Sequence, residues 1–137
     1  MLERLAAGER VSEQIDWPNV IEEVRDLGAS EVRSCRSWLL LTFVHLLKLK
    51  AWPDDQSAAA WVTEVLNFSE QFREHYLASM RSKIDVDALY GKALDQVHGL
   101  NWPSPGRIPG SCPYTLEHLV SSETTVSALL AKLDPPA

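Results

Sequence analysis

Four side chains have the chemistry from which a small active site could be built: His45, Asp16, Glu22 and Glu23. An imidazole titrates near neutrality and serves as a general base or metal ligand. A neighbouring carboxylate would orient it or share a divalent ion. Yet His45 lies in the most apolar run of the chain, WLLLTFVHLLKLKAWP (Trp38–Pro53). At helical spacing its neighbours are Leu41, Thr42, Lys48 and Leu49. A lone histidine in such a run needs only a hydroxyl or a backbone carbonyl to be satisfied, so it reads as a packed core imidazole. Glu22 and Glu23 are adjacent, and on a helix adjacent residues diverge by about 100° and cannot serve one site together. They read as a solvated face, with Glu22 ion-paired to Arg36 or Arg33.

The remaining candidates assemble no catalytic set. His75, His98 and His118 lack the i,i+4 spacing by which a helix presents two metal ligands. There is no Glu-x-x-His pair for a dimetal bundle. Cys35 and Cys112 have no Cys-x-x-Cys spacing and are expected to be unpaired thiols, Cys35 inside a helix and Cys112 in a loop. No Gly-rich phosphate loop or nucleotide fingerprint is present. No metal and no cofactor is expected, and the tryptophans at 17, 38, 52, 61 and 102 read as core and helix-end packing.

The elements that must position these residues are helical. Residues 2–7 could form a short helix closed by Gly8. DWPNVIEEVRDLG (Asp16–Gly28) has an N-cap aspartate, a proline in the first turn and a terminal glycine, with Val20, Ile21, Val24 and Leu27 as its stripe. Ser30 opens a second helix to about Ala51, the most buried one, ended by Pro53; Lys48 and Lys50 complement its negative end. Asp54 or Asp55 starts a third, to about Lys83, antiparallel to the second, which places His45 near Trp61 and Val62. Asp85 caps a fourth, stopped at Gly99. Residues 99–113 hold four of the eight prolines and three of the six glycines, so they form an irregular connector. Thr115 opens a short helix, and Ser122 caps a last one through Val126, Leu129 and Leu133. The expectation is an all-α fold: one domain over residues 1–137, a bundle of five or more helices without a sheet.

Composition narrows the partners. Nineteen carboxylates against 13 Lys and Arg give a net charge of −6, which is unsuited to nucleic acid. The apolar run Trp38–Leu47 is well short of the ~20 residues of a membrane span, so no membrane association is expected. MLERLAAGER lacks the basic-then-apolar order of an export signal, and with two unpaired thiols the expected compartment is the cytoplasm.

Three stretches taken in order, DWPNVIEEVRDLG, HLLK (His45–Lys48) and CPYTLEHL (Cys112–Leu119), resemble a bacterial family, domain-of-unknown-function family 29. Trp61 falls where its members carry a Ser-Trp pair, here Ala60-Trp61. The resemblance implies an α-helical fold and supplies no reaction. The functional reading is a small non-enzymatic helical module acting through protein contacts or self-association. Its rival is a small hydrolase or metal-dependent enzyme using His45 with Asp16, Glu22 or Glu23.

Overall fold

A computed structural model describes the backbone of residues 17–134 and the side chains of residues 28–134. The expected helix at residues 2–7 lies outside the described residues. The chain divides into two compact units, Met1–Ser30 and Glu31–Ala137. All regular elements among the described residues are helical: α1 (Trp17–Ala51), α2 (Ala58–His75), a 3₁₀ helix (Ala78–Lys83), α3 (Val86–Gly99), α4 (Leu116–Val120) and α5 (Val126–Ala131).

The expected break at Gly28 is absent, and α1 runs through it without interruption. A single glycine costs about 1 kcal/mol relative to alanine inside a helix, and Ala29, Ser30 and Glu31 follow it in place of a proline. A helix of this length outweighs that cost.

The corner after α1 is longer than the Trp52–Asp54 bend anticipated from sequence. Asp55 does not cap a helix but makes a local turn: its Oδ1 accepts the Ser57 N–H at 2.8 Å, and its carbonyl accepts the Ala58 N–H at 2.9 Å. Aspartate supports either role, since both use the side-chain oxygen on a nearby N–H. α2 therefore starts at Ala58. It also stops earlier than expected, at His75, where Tyr76 turns extended with ψ 134°. The 3₁₀ turns that follow bury Met80 and leave Leu77 exposed.

α1 and α2 are antiparallel, as expected, with a shifted register. Trp38 packs on His75 (ring centroids 4.6 Å apart) and His45 on Phe68 (5.6 Å). Seven residues forward along α1 thus match seven back along α2, two turns of each helix. The longer corner moves the partner of His45 from Trp61 to Phe68.

The core of the second unit centres on three aromatic rings. Phe43 of α1 stacks on Tyr114 at 5.4 Å and meets Tyr90 of α3 edge-on at 5.8 Å. Both tyrosine hydroxyls donate to backbone carbonyls, Tyr90 to Pro109 and Tyr114 to Leu129, each at 2.7 Å. Burial raises both phenol pKa values, that of Tyr90 to about 12. Leu39, Leu46, Leu47, Val65, Phe72, Val97, Leu129 and Leu133 complete the interior.

From α3 onward, caps follow the chemistry of the sequence at two of three helix starts. Asp85 accepts from the Ala88 N–H at 3.1 Å, and Thr115 from the His118 N–H at 3.2 Å. The last helix is capped by Thr125, which accepts from Ala128, and not by Ser122. Arg36 donates to the Lys83 carbonyl at 3.1 Å, across the end of the 3₁₀ helix; its expected ion pair with Glu22 rests on a side chain outside the described residues. Lys50–Asp134 and Arg81–Glu117 are ion pairs.

Candidate functional site

The connector between α3 and α4 is docked on the C-terminal end of α1, and this docking builds the most distinctive surface of the protein. The Gly106 N–H donates to the Ala51 carbonyl at 2.7 Å. A Cβ at Gly106 would lie 3.1 Å from the Lys50 carbonyl oxygen and 3.2 Å from that of Ala51, so only glycine fits without displacement. Trp52 Nε1 donates to the Pro103 carbonyl at 2.9 Å and fastens the connector a second time. On either side of Trp102 and Pro103, Asn101 (φ 54°) and Ser104 (φ 55°) adopt left-handed backbone. Serine seldom does so, and such a conformation costs on the order of 1–3 kcal/mol.

The consequence is that Trp102 is held beside two other tryptophans. Its ring centroid is 5.0 Å from that of Trp52 and 6.2 Å from that of Trp61, the latter nearly parallel at 17°. Trp61 is buried, whereas Trp102 keeps 37% of its surface in solvent. The Lys48 ammonium lies 5.3 Å and 5.5 Å from the Trp61 and Trp102 centroids, within cation–π range of both. Trp52, Trp61, Trp102 and Pro103 with Asp55, Gln56 and Ser57 line a pocket of about 410 Å³. The sequence reading treated all five tryptophans as packing and missed this group. Its available signal was the Trp-Pro dipeptide, which occurs at 17–18 and 52–53 and a third time at 102–103, inside the connector.

A second feature is the outer row of α2. Val62 and Leu66 are 39% and 47% exposed, and at four-residue spacing they continue into the exposed carboxylates Glu70 and Glu74.

The sequence-derived candidates are placed as follows. His45 is half-buried, and its Nδ1–H donates to the Leu41 carbonyl at 2.7 Å, one turn back. His75 makes the same contact with the Gln71 carbonyl at 2.9 Å. The bond is thus a local helical one that two histidines share. Asp16 and the side chains of Glu22 and Glu23 lie outside the described residues. Among the described residues, no group of three or more His, Cys, Asp or Glu side chains could hold a metal ion. Cys35 and Cys112 are free thiols. Burial pushes the Cys112 thiol up to about 11, with its S–H directed at the Tyr114 carbonyl (3.6 Å), and burial also raises Cys35. Neither is therefore a thiolate at neutral pH. Among the described residues no helix is long and apolar enough to cross a membrane.

No curated protein sequence matches the chain. Among solved structures, an α-helical protein of unknown function from Rhodospirillum rubrum superimposes with a TM-score of 0.79 at 20% identity, over 91% of this chain and 82% of that one. That likeness establishes the fold alone. The model of the domain of unknown function DUF29 matches residues 3–124, nearly the whole chain, and the protein is a member of that family.

Proposed function

We propose that the chain is a non-enzymatic helical module that works by contact with another protein, and that the outer row of α2 is its contact face. The observation that carries this reading is the exposure of Val62 and Leu66 one turn apart, continued by Glu70 and Glu74. Apolar residues bordered by charge have the composition of a small protein interface, with an apolar centre and a polar rim. The charge selects the partner. With −6 overall and carboxylates along this row, a second copy would bring like charges together, whereas an apolar patch bordered by Lys or Arg would be complementary. We place the protein in the cytoplasm, in keeping with its two free thiols.

The test is photo-cross-linking in cells, with a photoreactive phenylalanine analogue at position 66 and, as control, at exposed Lys92 of α3. The expected product is an adduct of defined mass at position 66 only, mapping to a partner surface flanked by Lys or Arg and fading as salt is raised. An adduct of twice the chain mass would replace this reading with self-association. Absence of any adduct specific to position 66 would remove the contact face.

A further inference from the structure

We infer that the pocket between Trp52, Trp61 and Trp102 is a binding site for a neutral saccharide, independent of the contact face on α2. The pocket combines an aromatic wall with a polar edge. Trp102 presents a partly open indole, and Asp55, Gln56 and Ser57 stand along the α1–α2 corner beside it. Its volume of about 410 Å³ falls in the range of small-molecule sites, ~300–1,000 Å³.

Fixed charges define the class of ligand. The Lys48 ammonium already occupies the cation position on the Trp61 and Trp102 rings and repels a second cation stacked there. The Asp55 carboxylate lines the pocket and repels an anion. What suits the site is a neutral molecule with an apolar face for the indole and hydroxyl groups along its edge. A pyranose ring has both, with axial C–H bonds on one face and hydroxyls around its rim. Asp55 uses Oδ1 on the Ser57 N–H, which leaves Oδ2 for a ligand hydroxyl. Gln56 supplies a donor and an acceptor. The Ser57 hydroxyl makes no capping bond to its helix.

The architecture supports a site that is built in advance. Two left-handed residues, the Trp52–Pro103 hydrogen bond and the Gly106 docking contact all serve to hold Trp102 where it is. A left-handed serine held beside an exposed aromatic side chain is the kind of backbone strain that clusters at functional positions.

Tryptophan fluorescence and calorimetric titrations of the full chain test the inference, with glucose, galactose, mannose, maltose and cellobiose as probes. Choline and benzoate serve as the charged comparisons. The inference predicts a saturable response to at least one sugar and none to choline or benzoate. Trp102→Ala should abolish it, and Gln56→Ala, an exposed change that cannot disturb the core, should weaken it roughly tenfold. Trp38→Phe, which alters an α1 tryptophan packed on His75 at the far end of α2, should leave affinity unchanged. No saturable response to any of the five sugars would overturn the inference. So would tighter binding of choline or benzoate, or sugar binding that survives both pocket substitutions.

Discussion

Replacing Gly106 with alanine tests whether the connector is locked to α1 as described. The new methyl carbon would stand 3.1 Å and 3.2 Å from the Lys50 and Ala51 carbonyl oxygens, backbone atoms of a helix end that cannot rotate away. The connector must then retreat, which stretches the 2.7 Å hydrogen bond from the Gly106 N–H to Ala51. Overpacking of this kind costs ~1–3 kcal/mol, and the weakened hydrogen bond adds up to about 1 kcal/mol. Against this, loss of glycine freedom in the unfolded chain returns ~0.4–1 kcal/mol. The net expectation is a destabilisation of about 1–3 kcal/mol, a loss of several degrees in Tm. Urea unfolding followed by far-UV circular dichroism gives the stability. Tryptophan emission under native conditions gives the second readout, since retreat of the connector separates Trp102 from Trp52 and shifts the emission to the red. A variant as stable as the parent, with unchanged emission, would refute the docking argument.

Other expectations follow from the core and the thiols. Tyr114→Phe keeps the stack on Phe43 but leaves the buried Leu129 carbonyl without its donor, and should cost about 1–3 kcal/mol in urea unfolding. At pH 8, Cys112 in the native protein should hold roughly 100-fold less thiolate than a free thiol and alkylate correspondingly slowly, while both cysteines react promptly in urea. Because the folded state holds the Cys112 proton from the ordinary value of 9.0 up to about 11, it binds more protons than the unfolded state in that window. Stability should therefore fall as pH rises from 9 to 11, and Cys112→Ala should flatten the decline. His45→Phe retains the ring on Phe68 and loses only a local hydrogen bond, so stability should change by less than ~1.5 kcal/mol.

Much of the helical framework was legible because periodicity and caps act locally. Asp85 and Thr115 cap where their oxygens meet an N–H three residues on, and no tertiary contact is needed for that. The motif CPYTLEHL is explained by the same helix start together with the buried Tyr114 and Leu119. Misreadings occurred where two local solutions lie close in energy. Gly28 weakens a helix without ending it, Asp55 serves a turn as well as a cap, and Thr125 competed with Ser122 for the last helix. No Gly or Pro marks the end of α2 at His75. The tryptophan pocket was illegible for a different reason. Trp61 and Trp102 are far apart in the chain, and what joins them is the fit of Gly106 against two carbonyls at the end of α1. His45 stood out in the sequence as the polar residue of an apolar run, and the structure gives it the same one-turn hydrogen bond as His75.

The central claim is that the exposed row of α2 acts by contact while His45 serves packing, and cross-linking yield in two backgrounds addresses both parts at once. A photoreactive side chain at position 62 is carried by chains bearing either Leu66→Asp or His45→Phe, each first shown to be folded. The account predicts that Leu66→Asp abolishes the adduct formed at position 62 and that His45→Phe leaves its yield unchanged. An adduct that persists in Leu66→Asp but disappears in His45→Phe would contradict it.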